Sequence, residues 1–72
     1  MRNLTIKQAE ILEYIRLYIR DKRYSPSIRE ISERFNITVK CGQDHVSALV
    51  RKGFIVREEG KARTIRIVER DK

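Results

Sequence analysis

The sequence predicts a mostly helical fold that ends in a small β-hairpin. Two Ser/Thr-x-x-Gln/Glu boxes each precede a run of apolar residues at helical spacing, and two runs rich in β-branched residues follow near the end of the chain. Ile, Leu, Val and Phe make up 21 of the 72 residues, which is enough for one modest hydrophobic core but not for two. We therefore expect one domain over residues 1–72.

The first helix has a clear start and a clear end. Thr5 and Gln8 form a capping box, with Leu4 and Ala9 placed to pack across it, so the helix is predicted to begin near Ile6. The apolar positions that follow lie on one helical face and stop before the polar stretch 20–23; they are Ile11, Leu12, Ile15, Tyr18 and Ile19. This pattern predicts a helix over residues 6–22.

The second helix is short and begins after a proline. Pro26 disfavours a helical conformation at Ser25, and Ser27 with Glu30 makes the second capping box. Asn36 tolerates the left-handed conformation that commonly follows a helix end. We predict about eight residues from Ile28, with an inward face of Ile28, Ile31 and Phe35.

A third helix is predicted over about 39–52, capped by Thr38 and ending at Lys52 and Gly53. Its predicted inward face is Gly42, Val46, Leu49 and Val50. Gly42 costs about 1 kcal/mol of helix propensity relative to alanine, and close packing of this helix across the second one is the simplest reason for it. Two crossed helices joined by a short turn are typical of a helix-turn-helix.

The two β-branched runs, residues 54–57 and 64–68, are predicted to pair as a hairpin around a turn at 58–61. Alternation would send Ile65 and Ile67 inward and Thr64 and Arg66 outward. Three helices followed by a two-stranded antiparallel wing give the order of a winged helix-turn-helix, with the wing defined here as residues 54–68.

The distribution of charge favours a polyanionic partner. The formal net charge is +7, and the excess lies at the two ends: residues 1–24 carry +3, residues 25–50 carry none and residues 51–72 carry +4. A neutral segment around the third helix suits a reader of bases, because contacts to the DNA backbone position a protein while contacts in the groove specify sequence.

The exposed front of the third helix offers five candidate base-contacting residues, namely Thr38, Lys40, Cys41, Gln43 and Asp44. Lys40 can donate to guanine, Gln43 can pair with adenine, and Asp44 can accept from the cytosine amino group. The alternative is that this is an ordinary solvated helix face. Cys41 is either a small helical side chain or a redox-sensitive contact, and His45 is interpreted as a packing residue.

Candidate contacts to the DNA backbone or minor groove lie on the wing and at the entry to the second helix; they are Ser27, Arg29, Arg57, Lys61, Arg63 and Arg66. The alternative for the wing is that its charges only keep edge strands from pairing with other chains.

Other classes of function find little support. One cysteine and one histidine make no zinc set, and we expect no metal and no cofactor. No apolar run approaches the length of a membrane span or a signal peptide, so we expect a soluble, cytoplasmic protein. Four serines lie between residues 25 and 47, but nothing in so short a chain indicates a catalytic base beside them, and we expect no enzyme.

The order and spacing of several motifs resemble the N-terminal DNA-binding domain of LexA-type repressors of the bacterial SOS response. The resemblance runs through Leu4-Thr5 with Gln8, Ile11 and Ile15, then Tyr24-Ser25-Pro26-Ser27-Ile28-Arg29-Glu30-Ile31, then His45 with Leu49, Lys52-Gly53-Phe54-Ile55, and Gly60-Lys61 with Arg63, Ile65 and Ile67. Cys41, Gly42 and Asp44 depart from the common family pattern, as does Ser25 at a position where proline is usual.

The resemblance implies a repressor that binds palindromic operators on double-stranded DNA as a homodimer, with the third helix in the major groove, in the cytoplasm and associated with the bacterial nucleoid. It also implies that self-cleavage and most dimer contacts belong to a C-terminal domain, so this chain alone would dimerise weakly. The chain ends about where the family's linker would begin, which fits either an excised domain or a stand-alone protein. Two rival functions stay open: a winged helix that binds another protein, and one that binds RNA.

Overall fold

The computed structural model describes residues 4–68. It contains α1 (Ile6–Lys22), α2 (Ile28–Phe35), α3 (Val39–Arg51), β1 (Ile55–Val56) and β2 (Arg66–Ile67). The two strands are antiparallel, with Ile55 opposite Ile67 and Val56 opposite Arg66. Three helices followed by this hairpin form a winged helix-turn-helix, as the sequence predicts.

The helix boundaries follow from their caps. The Thr5 hydroxyl accepts from the Gln8 amide at 3.0 Å, and the Thr5 amide donates to Gln8 Oε1 at 3.2 Å, so both halves of the first capping box are formed. Ser27 and Glu30 form the second box at 3.1 and 3.0 Å. The N-cap of α3 is Thr38, and its C-cap is Lys52, so α3 ends one residue earlier than predicted.

The hydrophobic core is built from all three helices and the wing. Its fully buried members are Ile11 and Ile15 of α1, Ile31 of α2, Val46 and Leu49 of α3, and Ile55 of β1, with Ile65 of the wing 4% exposed. Burial of this apolar surface holds α2, α3 and the wing in one arrangement. The orientation of the exposed face of α3 follows from that arrangement.

Gly42 lies where α3 crosses α2, which confirms the predicted reason for a glycine there. A methyl group at Gly42 would overlap the Oγ atom of Ser32, which donates to the Ile28 carbonyl at 2.9 Å. The two helices therefore pack more closely than a side chain at position 42 would permit.

The prediction that Val50 faces inward is wrong, because Val50 is 37% exposed. The buried face of α3 extends from Val46 and Leu49 toward Ala48 and His45 rather than toward Val50. Ala48 is 6% exposed and His45 is half-buried. Val50 instead lines an open groove with Arg57 and Glu59 of the wing. The half-buried position of His45 agrees with its interpretation as a packing residue.

The strands are two residues each, shorter than the predicted runs 54–57 and 64–68. Side-chain hydrogen bonds of Thr64 stand where backbone bonds between the strands were predicted. Thr64 Oγ1 accepts from the Glu58 amide at 3.0 Å and lies 3.2 Å from the carbonyls of Glu58 and Lys61. Gly60 and Arg63 have φ values of 77° and 59°, so the turn is wider than the predicted 58–61. Ile65 is buried and Arg66 is exposed, as alternation predicts, while Ile67 and Thr64 are half-buried.

Candidate nucleic-acid interface

The five candidate base-contacting residues are all exposed and lie at the N-terminal end of α3. Thr38 caps the helix by accepting from the Cys41 amide at 3.1 Å. Lys40, Gln43 and Asp44 point away from the buried stripe of Gly42, Val46 and Leu49, because the helical repeat of 3.6 residues places them on the opposite side. The structure thus brings a mixed set of donors and acceptors together on the outer face of α3.

Lys40 and Asp44 are one helical turn apart and form a loose ion pair, with 4.0 Å between Lys40 Nζ and Asp44 Oδ1. Their side chains are 86% and 68% exposed, so water screens the attraction strongly. Both side chains can therefore exchange this contact for a base edge at little cost.

Three residues that the sequence prediction omitted share this surface. Ser47 and Arg51 are exposed and continue the outer face of α3 beyond Asp44. Val39 is 47% exposed in the first turn of α3 and offers an apolar surface of the kind that contacts a thymine methyl group. The helical repeat from Lys40, in steps of three or four residues, could have identified Ser47 and Arg51.

The basic residues of the wing lie in different environments. Arg57 is half-buried and lines an open groove with Arg51 and Glu59. Lys61 is exposed and lies 3.7 Å from a Glu58 carboxylate oxygen. Arg66 is exposed on β2. The structure brings these three cations onto one hairpin.

Arg63 differs from the other wing cations because its guanidinium, although exposed, is bound by groups from the start of α2 and the segment before it. It donates to both Glu30 oxygens, at 2.7 and 3.0 Å, and to the Ser25 carbonyl at 3.2 Å. The guanidinium also stacks over the Tyr24 ring, 5.1 Å from its centroid. Arg63 thus joins the tip of the wing to the start of α2.

The same contacts shift the protonation of Glu30. The Arg63 guanidinium, followed by the Ser27 amide, lowers the pKa of Glu30 to about 2, and Glu30 in turn raises the pKa of Arg63. The pair is therefore fully charged at neutral pH. We call Arg63, Glu30 and the Ser25 carbonyl the wing latch.

The remaining candidates, Ser27 and Arg29, lie at the start of α2. The Ser27 hydroxyl accepts from the Glu30 amide, and the residue is half-buried. Arg29 is exposed in the first turn. The wing latch ties this end of α2 to the wing, because Glu30 Oε1 accepts from both the Ser27 amide and Arg63.

Residues 4–68 contain no group of three or more potential metal ligands among His, Cys, Asp and Glu. In the same range, no helix is long and apolar enough to cross a membrane.

These features define the class of the chain as a winged helix-turn-helix protein with an exposed polar third helix and a basic wing. The LexA DNA-binding domain family matches residues 1–64, and the chain belongs to that family.

Three relatives show how far the likeness extends. The LexA repressor of Thermosipho melanesiensis is 43% identical over 70 residues, covering 97% of this chain and 35% of that protein. The LexA repressor of Thermotoga neapolitana is 44% identical over 69 residues, covering 96% of this chain and 35% of that protein. The LexA repressor of Leptospira biflexa is 39% identical over 69 residues, covering 96% of this chain and 34% of that protein. The chain thus spans about a third of the length of these relatives.

Proposed function

We propose that the chain binds double-stranded DNA as the operator-reading part of a LexA-type transcriptional repressor in the DNA-damage response. The observation that carries this proposal is the exposed, mixed polar face of α3, held outward by the close crossing of Gly42 over Ser32. An α-helix with such a face fits the major groove, where each base pair presents a distinct pattern of donors and acceptors. The proposed activity is binding, and it needs no catalytic group.

We assign the reading of bases to Thr38, Lys40, Cys41, Gln43 and Asp44. Lys40 donates to the O6 and N7 atoms of guanine, Gln43 makes the paired contact to adenine, and Asp44 accepts from cytosine N4. Cys41 and the cap residue Thr38 supply small surfaces at the helix start, close to the groove floor.

We assign positioning on the backbone or in the minor groove to Ser27 and Arg29 and to the wing cations Arg57, Lys61 and Arg66. Arg63 was predicted to join them and stays a predicted contact, but its bonds to Glu30 and Ser25 support a different first role. In the free protein it positions the wing against α2.

We further propose that two copies bind the two halves of a palindromic operator, since operator symmetry mirrors the symmetry of the bound protein. Because this chain spans about a third of the LexA repressors that it resembles, the remaining two thirds of such proteins would supply the stronger dimer contacts and the response to DNA damage. The place of action would be the bacterial cytoplasm, at the nucleoid.

Selection of bound duplexes from a random pool tests the proposal directly. We expect an enriched motif with inverted half-sites and binding that weakens as salt rises. Failure to bind any duplex at about 50 mM salt, where nonspecific electrostatic binding should already appear, would contradict the proposal and favour a protein-binding winged helix. Preference for RNA over duplex DNA in competition would favour the RNA-binding alternative.

A further inference from the structure

A groove of about 870 Å³ lies on the side of the wing that faces α1. Among residues 4–68, its lining comes from the C-terminal half of α1, the segment that follows it, and the wing, while α2 and α3 contribute none of it. We call this the α1–wing groove. It is separate from the outer face of α3 that is proposed to read bases.

The groove is strongly basic. The five arginines that line it are Arg16, Arg20, Arg23, Arg63 and Arg66. Glu58 is the acidic residue of the lining. Arg16 is engaged by Glu13 at 2.6 Å and Arg63 by Glu30 at 2.7 Å. Arg20 is only loosely paired with Asp21 at 3.6 Å, and within residues 4–68 neither Arg23 nor Arg66 has a carboxylate within 4.0 Å. The groove therefore favours an acidic occupant.

One edge of the groove is the outer edge of β2. The Val68 amide donates to the Phe54 carbonyl at 3.0 Å. Because hydrogen-bonded and non-hydrogen-bonded pairs alternate along antiparallel strands, Val68–Phe54 and Arg66–Val56 are the hydrogen-bonded pairs and Ile67–Ile55 is a non-hydrogen-bonded pair. The amide and carbonyl of Ile67 therefore point away from β1. The Ile65 amide points the same way and donates to Ser25 Oγ at 3.3 Å.

Ile19, Tyr24 and Ile67 add apolar surface to the lining. A DNA backbone has no hydrogen-bond donor for an outward strand carbonyl, so it would leave the Ile67 carbonyl unpaired. An extended polypeptide has both donors and acceptors along its backbone, and its alternate side chains face the groove.

We propose that the α1–wing groove binds an acidic polypeptide segment, which adds as an extended strand to the outer edge of β2. Its acidic side chains pair with Arg20, Arg23 and Arg66, and its apolar side chains cover Ile19 and Tyr24. Because α3 does not line the groove, the peptide leaves the base-reading face uncovered, while the groove shares Arg63 and Arg66 with the proposed contacts to the DNA backbone.

A fluorescein-labelled peptide of alternating glutamate and valine is a suitable probe, with alternating lysine and valine as the control peptide. We expect the acidic peptide to raise fluorescence anisotropy and to shift the Ile67 amide resonance in a titration followed by NMR. The double variant R20E/R23E should weaken binding about tenfold, because both arginines then repel the peptide. The milder pair R20Q/R23Q serves if thermal unfolding shows that the first does not fold.

The matched control is K7E/R34E, which changes the net charge equally but lies around a second groove, beside Phe35. It should weaken peptide binding less than about threefold, since distant exposed charges are screened. Equal losses in the two variants, or no shift at Ile67, would overturn the proposal. So would displacement of the peptide by a short duplex that shifts the same amide, because the groove would then belong to the DNA surface. Duplex binding by the unmodified protein is measured alongside, so failure of this inference is distinct from failure of the proposed function.

Discussion

At the scale of single residues, a few contacts decide how the reading face is presented. Gly42 permits α3 to lie against Ser32, and the Ser32 hydroxyl is already engaged with the Ile28 carbonyl. On the opposite side of α3, the Gln43 side chain is exposed. One side of the helix is thus committed to packing and the other is available for recognition.

Gly42→Ala should be more favourable in a Ser32→Ala background than in the unmodified protein. Alanine adds about 1 kcal/mol of helix propensity, but in the unmodified protein its methyl group must displace the Ser32 hydroxyl and its hydrogen bond. We expect a coupling of about 1 kcal/mol in the free energy of unfolding, measured by urea denaturation of the four proteins of a double-mutant cycle. Identical effects of Gly42→Ala in both backgrounds would contradict this account of the helix crossing.

Gln43→Ala and Lys61→Ala should have different effects on DNA binding. Loss of Gln43 should relax preference at one base pair by about 1–3 kcal/mol, whereas loss of Lys61 should weaken binding to all sequences alike. Affinities for a selected operator and for its single-base variants provide the measurement. If the two substitutions give the same pattern, the assignment of readers and positioners is wrong.

At the scale of elements, side-chain hydrogen bonds add to the buried Ile55 and Ile65 and to the two-residue strands in holding the wing. Thr64 closes the turn onto Glu58, and the wing latch fastens its tip to α2 through Arg63 and Glu30. The latch therefore sets the position of Lys61 and Arg66 relative to α3.

Glu30→Gln should remove part of the loss of stability in acid. The folded-state pKa of Glu30, about 2, lies below its ordinary value of 4.5, so its contribution is present above pH 4.5 and is lost as the pH falls toward 2. Glutamine retains the capping box but carries no charge for Arg63. Melting temperatures from pH 6 to pH 2 should fall less steeply in the variant, and parallel curves would count against the latch.

The Glu30→Gln variant also shows whether Arg63 mainly positions the wing or mainly binds a DNA phosphate. If Arg63 positions the wing, Glu30→Gln should lower DNA affinity even though it removes a negative charge. If Arg63 mainly binds phosphate, the substitution frees it and affinity should rise. We expect a fall, measured by fluorescence anisotropy at fixed salt, with Glu33→Gln as the control for the loss of one exposed carboxylate in the same helix.

At the scale of the whole molecule, the charge excess is carried by residues 1–24 and 51–72, and the fold brings the C-terminal half of α1 and the wing, one from each segment, together. These two elements meet around the α1–wing groove, while α3, except for its last residue Arg51, lies in the electrically neutral segment 25–50. The electrostatic attraction for polyanions and the reading of bases are therefore carried by different parts of the molecule.

The salt dependence of operator binding should show how many phosphates the wing cations neutralise. Log affinity should fall linearly with log salt at a slope near −0.9 per neutralised phosphate, and Lys61→Ala should make that slope shallower by about 0.9. Titrations of one duplex at several salt concentrations between about 50 and 200 mM provide the measurement. An unchanged slope would show that Lys61 does not contact a phosphate.

The sequence by itself determined the number, order and near-exact bounds of the helices, because capping boxes and apolar periodicity are local signals. It also indicated close packing of α3 against α2 at Gly42, because a glycine inside a helix lowers helix propensity unless a close contact requires it. Family membership followed from motifs that run through residues 4–67, and the match over residues 1–64 confirms it.

Only the tertiary structure decided the orientation of Val50, the short strands and the partner of Arg63. Each depends on groups far apart in the chain: Arg63 meets Glu30 across 33 residues, and the buried stripe of α3 is set by the elements packed against it. Local patterns do not encode such distances. Whether a basic side chain pairs with a carboxylate of the same chain or is available to another molecule therefore depends on tertiary packing, which brings together residues that are far apart in the sequence.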